Sequence, residues 1–337
     1  MHLSEYSDLF LPAVEQHLFS TLEEYLKSAF PELREAIFYQ FGFSNADSGK
    51  MKGKRIRPLL VLLTADLLSI DWQKFLPAAS AIEMLHNFSL IHDDIEDHSP
   101  LRRGKETIWK KWGTEKAVNI GDMLFILSVQ TMHTSTENFG LKESLEGSRL
   151  FLQTASSIMQ GQQMDMAFEG NGEVTKEDYL FMICEKTAAL LGHSCEISAV
   201  LAGSDLKIRQ KFHTFGLNLG MAFQIYDDWL GIWGKERQTG KTECSDLIEK
   251  KISYPVMLGL QQNTAFYDIW HATVHFSKDQ AQETADILSR AGIEAQVLER
   301  AAYYNEVALQ ALESINGKQA AKKAIRTFAE ELIKRNY

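Results

Sequence analysis

The stretch His86-Asn-Phe-Ser-Leu-Ile-His-Asp-Asp-Ile-Glu-Asp97 runs an apolar helix straight into four acids within five residues. Upstream, Ala78, Ala79, Ala81, Ile82, Met84 and Leu85 give that helix a body apolar on most sides, the mark of a buried helix. At about 100° per residue, Asp93 and Asp97 fall about 40° apart on one face with Asp94 beside them, so three carboxylates are expected to point into one volume. A like-charged i, i+4 pair costs roughly 0.2–0.5 kcal/mol on an exposed helix. Partial burial raises the repulsion to about 4 kcal/mol for charges about 4 Å apart at an effective dielectric of about 20. A cation is therefore expected at this helix end. Oxygen-only ligation suits Mg2+, which keeps several waters and is completed by substrate phosphates. A solvated acidic helix end is the competing reading.

A second cluster favours the cation. Phe223-Gln-Ile-Tyr-Asp-Asp-Trp-Leu230 repeats the pattern, with Phe215, Leu217, Leu219, Met221 and Ala222 leading into Asp227 and Asp228. Gln224 sits one turn before Asp228 on the same side. Two acidic helix ends, each preceded by a run that demands burial, are most economically explained if they face each other across one cavity and share metal.

With these residues the chain resembles the trans-type isoprenyl diphosphate synthases, all-helical class I prenyltransferases that build linear allylic diphosphates. The resemblance covers roughly Gly53 to Gly259. It implies an all-α fold, a single large helical bundle around a central cavity, over one isoprenoid synthase domain spanning 1–337. It assigns Asp93, Asp97 and Asp227 to the metal, and places Asp94 and Asp228 beside them in the catalytic set.

The remaining motifs extend that likeness. Gly53-Lys-Arg-Ile-Arg-Pro58 brings three cations to the start of an apolar helix, where backbone N–H groups favour anions. Taken alone it reads equally as a solvated basic loop; the resemblance gives Lys54, Arg57 and His86 to the diphosphate of isopentenyl diphosphate. In Leu101-Arg-Arg-Gly104 two arginines follow the first motif and would serve simply to neutralise it. The resemblance instead sends Arg102 to the allylic diphosphate and Arg103 to isopentenyl diphosphate. Lys186 and Thr187, within Glu185-Lys-Thr-Ala-Ala189, are assigned to the allylic diphosphate, and Gln224 is grouped with the substrate-binding residues. The polar segment 234–250 resembles a flexible lid whose lysine, Lys241, reaches the leaving diphosphate. Lys251-Ile-Ser-Tyr-Pro255 resembles the segment that follows that lid. Asp165 reads as a helix-surface acid and His92 as a rim or core histidine. At position 231, where the family usually has a third aspartate, this chain has Gly231. Metal binding is expected to survive that departure with a changed water network.

Product length is expected to depend on Phe88, five residues before Asp93, with Ser89 beside it. Phe88 lies more than a turn below the metal ligands and is expected to act as the floor of an apolar tunnel. Geranylgeranyl diphosphate is the first expected product and farnesyl diphosphate the second.

Several other classes fit poorly. A net charge of −10 argues against general nucleic-acid binding. No apolar run approaches the roughly 18 residues of a membrane span. The N-terminus lacks the basic start and apolar core of a signal peptide, and the three cysteines have no metal-type spacing, so reduced thiols and a cytoplasmic location are expected. Glu83-Met-Leu-His86 has the spacing of a di-iron ligand pair, but no second pair accompanies it. Gly240-Lys-Thr242 lacks the earlier glycine of a phosphate-binding loop. A class I terpene cyclase remains an alternative, as does a regulatory subunit of a heteromeric synthase. The former generally lacks the second diphosphate clamp; the latter typically loses acidic motifs of which five of six aspartates stand here. Homodimerisation is implied by the resemblance alone.

Overall fold

Apolar residues recur at three- and four-residue spacing through every long segment, and only six prolines interrupt 337 residues, so helices make up nearly all the regular structure. The computed structural model describes residues 1–43, 53–169, 174–235 and 242–334. In order these form α1 (Leu3–Leu26), α2 (Pro31–Phe41), α3 (Ile56–Leu67), α4 (Leu76–Glu96), α5 (Ile108–Trp112), α6 (Thr114–His133), α7 (Leu141–Phe168), α8 (Lys176–Ile183), α9 (Ala189–Leu201) and α10 (Leu206–Trp233). Shorter and outer helices follow, among them Ser245–Ile248, Tyr254–Gln262, Ile293–Glu313 and Gln319–Lys334. The strands among the described residues are β1 (Leu101–Arg102) and β2 (Lys105–Glu106), antiparallel with Arg102 opposite Lys105.

Helix α4 is central. It is buried at every position from Pro77 to Leu85 and touches α1, α3, α6, α7 and α9, which is why its sequence has no polar stripe. Apart from Glu83, its acids begin only beyond that stretch. Helix α10 is the second axis. Asp205 starts it by accepting the Ile208 N–H at 2.8 Å. Its first half packs Phe212, Phe215 and Leu219 into the core around α4, and its second half packs Met221, Ile225 and Ile232 into another with α8 and the helices after residue 244.

Between α8 and α9 the helix widens into a π turn, Cys184–Ala188. Two glycines let neighbours close on it. A Cβ on Gly161 of α7 would come within 2.6 Å of Lys186 Cα, and one on Gly220 of α10 within 2.6 Å of Ala188 Cα. The turn is thus clamped between backbones, and its lysine is aimed by the clamp.

The expected loop over 234–250 is corrected in part. Residues 236–241, including Lys241, lie outside the described residues. Ser245–Ile248 is a short helix, and Cys244, Asp246 and Leu247 are buried, because Leu247 and Cys244 complete the second core.

Candidate active site

The C-terminal end of α4, the π turn and the start of α7's last turns meet around a cavity of about 320 Å³. Arg57, His86, Asp93, Lys186 and Thr187 contribute its charged and polar wall, while Phe88, Ile158, Met159, Met166 and Leu190 contribute the apolar one. Phe88 packs against His92 and Phe125, with ring centroids 4.8 and 5.2 Å away.

The acids of α4 are held by cations. Arg102 Nη2 donates to Asp93 at 2.7 Å and its Nε to Asp94 at 2.6 Å. The β1–β2 hairpin aims it: Arg103 and Gly104 both take left-handed φ (52° and 75°), the conformation that a two-residue turn matched to strand twist demands. Lys186 Nζ lies 3.2 Å from Asp93 and donates to Asp165 at 2.5 Å. Burial pushes the Asp93 carboxyl up, but Lys186 and Arg102 outweigh it and hold the group below its ordinary value. At Asp97, Lys186 and Lys251 act in the same direction but do not prevail. Desolvation in the crowded mouth, then repulsion from Asp93, pushes it up to about 6.

One expectation about this helix end is corrected. Asp94 does not share an open volume with Asp93 and Asp97; it is buried at 3 % exposure, where Arg102 ties it down. Desolvation pushes its carboxyl up to about 6 despite that arginine. Among the described residues no three Asp, Glu, His or Cys side chains are already gathered as a metal-ligating group.

On α10 the two aspartates differ in the same way. Asp228 is buried and accepts from Tyr179 Oη at 2.5 Å, Gln224 Nε2 at 3.0 Å and the Tyr254 N–H at 3.1 Å. Burial, then Asp246, pushes its carboxyl up to about 6. Asp227 is half-buried beside it. Gln224 also accepts from Thr187 Oγ1 at 3.0 Å, which joins α10 to the π turn.

Lys251 joins the two motifs. Its side chain is open to solvent, yet the surrounding protein is dense enough that desolvation is the first effect on it. Asp165, Asp246, Asp228 and Asp93 outweigh that effect and hold the ammonium above its ordinary value. It acts on Asp97 as well. Carboxylates from α4, α7 and α10 therefore all act on one cation.

A separate basic cluster stands at Arg57, His86 and Arg103. Burial pushes the Arg57 guanidinium down to about 10, with Arg103 acting in the same direction against Glu83. Burial, then Arg57 and Arg103, holds His86 well below its ordinary value, so it is a neutral imidazole among arginines. Arg103 lies against the loop before α3, where a Cβ on Gly53 would come within 2.5 Å of its Nη1. Arg55 does different work: it is 5 % exposed and its guanidinium is consumed by Glu15, Glu83 and the Phe41 carbonyl.

A model of the polyprenyl synthetase family matches residues 44–290. The chain belongs to the polyprenyl synthetase family. It is 32% identical over 319 residues to geranylgeranyl diphosphate synthase of Saccharolobus solfataricus, covering 93% of each chain. It is 34% identical over 239 residues to (2E,6E)-farnesyl diphosphate synthase of Mycobacterium bovis, covering 70% of this chain and 66% of that one. Among solved structures, a polyprenyl synthetase from Streptomyces coelicolor superposes with a TM-score of 0.88 at 28% identity, over 98% of this chain and 99% of that one.

Of the expected residues, Arg57, His86, Asp93, Lys186 and Thr187 line the cavity, Arg102 is tied to Asp93, and Gln224 links Thr187 to Asp228, with Asp227 next to it on α10. Lys54 is exposed at the edge of the described loop. Three residues escaped sequence reasoning: Asp165, Asp246 and Lys251. Asp165 reads as a surface acid because its helix face is mixed, and only the packing of α7 on the π turn places it against Lys186. Lys251 had a signal, its place in a segment already matched to the family, but its charge partners come from four different elements.

Proposed function

We propose that the protein condenses isopentenyl diphosphate head to tail with an allylic diphosphate, giving a short- or medium-chain all-trans prenyl diphosphate. Geranylgeranyl diphosphate is the first product expected and farnesyl diphosphate the second, in keeping with relatives that bear both names. The observation that carries the reading is the pairing of two cationic groups, Arg57/His86/Arg103 and Arg102/Lys186/Lys251, beside one apolar cavity. Two diphosphates and a hydrocarbon tail match that layout.

The chain's own groups divide the work. Arg57, Arg103 and neutral His86, with Lys54, orient isopentenyl diphosphate; an uncharged imidazole donates a hydrogen bond without adding to the repulsion between guanidinium groups. Lys186, Thr187 and Arg102 hold the allylic diphosphate, with Lys241 as a further ligand outside the described residues. Arg102 and Lys186 turn from carboxylates to phosphate oxygens when substrate enters, which their charge-assisted geometry allows. Ionisation breaks the allylic C–O bond, the isopentenyl double bond attacks the allylic carbon, and loss of a proton restores neutrality. The apolar wall, floored by Phe88 with Ser89 above it, shelters the growing chain from water.

The donor set fits Mg2+. Asp93, Asp97, Asp165, Asp228 and Asp246 outnumber Arg102, Lys186 and Lys251 in the mutually interacting group among the described residues, and the donors are oxygen alone. Asp93, Asp97 and Asp227 would hold the metal, which when bound neutralises charge on the leaving diphosphate as a Lewis acid.

We read 1–337 as one domain, because α10 contributes to both cores. We read the assembly as a homodimer. Val118 and Ile126 on α6 and Leu145, Leu152 and Met159 on α7 are exposed large apolar residues, the last three at seven-residue spacing, which forms one stripe. Cytoplasmic residence is supported by three free cysteines, of which burial pushes Cys184 and Cys244 up to about 11. No described helix is long and apolar enough to cross a membrane.

The test is incubation of purified protein with Mg2+, isopentenyl diphosphate and each allylic primer in turn. Linear prenyl diphosphates that vanish on adding EDTA are expected. Cyclic hydrocarbons, or no turnover without a second protein, would contradict the proposal.

A further inference from the structure

We infer that Lys250 is a positioning residue for Lys251: clipped across the end of a neighbouring helix, its side chain fixes the backbone from which Lys251 projects toward the acidic mouth. The inference rests on reading that mouth as a diphosphate site. The helix Ser245–Ile248 ends in two backbone hydrogen bonds. Lys250 N–H donates to the Leu247 carbonyl at 3.2 Å, and Lys251 N–H reaches back five residues to the Asp246 carbonyl at 2.8 Å. This pairing is a Schellman motif, which needs a left-handed residue at its corner and usually has glycine there. Here the corner is Lys250, at φ 54°. A residue with a Cβ is penalised in that conformation, so an interaction beyond the turn must hold it.

The side chain supplies that interaction. Lys250 Nζ donates to the carbonyls of Trp270 and Thr273, both at 2.6 Å. These close the helix Thr264–Ala272, at the end where carbonyls lack partners within the helix and the helix dipole favours a cation. The ammonium also stands 4.8 Å from the Trp270 ring centroid and 5.8 Å from that of Phe276, and both rings belong to the second core.

Glycine at 250 would close the motif without strain but leave that helix end uncapped; lysine does both. The clip sits one peptide bond from Lys251, the cation on which Asp165, Asp246, Asp228 and Asp93 act. On the other side, Ser253 N–H donates to the Lys251 carbonyl at 3.0 Å, so the backbone is held on both flanks of Lys251.

Calorimetric titration of the full chain with Mg2+ and inorganic pyrophosphate, alongside steady-state kinetics, tests the clip. Lys250→Gly suits the left-handed corner, so the turn closes while the clip is lost. Lys250→Met keeps the stem between the rings and loses the ammonium. Both are expected to weaken pyrophosphate binding in Mg2+ by about tenfold and to raise KM for the allylic diphosphate, while KM for isopentenyl diphosphate holds. Val297→Ala loosens the same core with the lysine in place, and is expected to lower the melting temperature at native affinity. The ratio of native to Lys250→Gly affinity is expected to stay constant from about 0.05 to about 0.5 M KCl, since salt screens a bare charge but not a displaced backbone. Native affinity in Lys250→Gly, an equal loss in Val297→Ala, or a ratio that collapses in salt overturns the positioning role. If Lys250→Met does not fold, the Lys250→Gly comparison decides. A native protein that fails to bind pyrophosphate in Mg2+ overturns the diphosphate-site reading instead.

Discussion

Single side chains in this protein are set apart by small differences of burial. Asp93 and Asp94 are sequence neighbours, yet one is held ionised by Lys186 and Arg102 while the other is pushed up to about 6 beneath the surface. Phe88 is the residue on which product length is proposed to turn. It is 6 % exposed on the cavity wall and backed by Phe125, so removing its ring extends the cavity toward α6. Phe88→Ala is expected to shift products to longer chains, read by mass spectrometry of the dephosphorylated alcohols; an unchanged length distribution would deny it that role. His193 carries a pH prediction. Burial pushes it down to about 3 in the folded chain from an ordinary 6.5. Below pH 6.5 the unfolded chain takes up a proton that the folded chain refuses, so stability falls with falling pH, by up to about 1.4 kcal/mol per pH unit for such a group. His193→Gln is expected to flatten that loss between pH 6.5 and 5 in urea unfolding, and parallel curves for the two proteins would show that the histidine is not responsible.

At the scale of elements, the sequence was most legible where one local rule decides. The Thr175-Lys-Glu-Asp178 start of α8 closes as a capping box, with Asp178 N–H to Thr175 Oγ1 at 3.1 Å. The acidic end of α4 stood out because apolar helices do not otherwise terminate in carboxylates. The π turn was illegible, since Cys184–Ala188 has the residues of an ordinary helix and is widened only by tertiary packing. So was the seat of Asp246, whose carboxylate lies against α10 at Gly231. The clamp on the π turn gives the prediction at this scale. Gly161→Ala forces a methyl onto the Lys186 backbone and is expected to destabilise the fold by about 1–3 kcal/mol. It is also expected to lower kcat more than kcat falls in a surface variant of equal melting temperature. Equal kcat at equal stability would mean that the turn does not aim Lys186.

For the whole molecule, the resemblance carried the fold class. The exposed apolar stripe was not legible, because Leu145, Leu152 and Met159 read as buried core until their exposure is seen. Sedimentation analysis is expected to find a dimer, and Leu145→Glu/Leu152→Glu a monomer; a native monomer or a dimeric variant would contradict the interface. The central claim is that two carboxylate clusters distant in sequence share one diphosphate. Crystals grown with Mn2+ and pyrophosphate test it most directly through the anomalous signal of the metal. The account predicts ions bridging pyrophosphate to both Asp93 and Asp227, and ions confined to one cluster, or on separate surfaces, would contradict it.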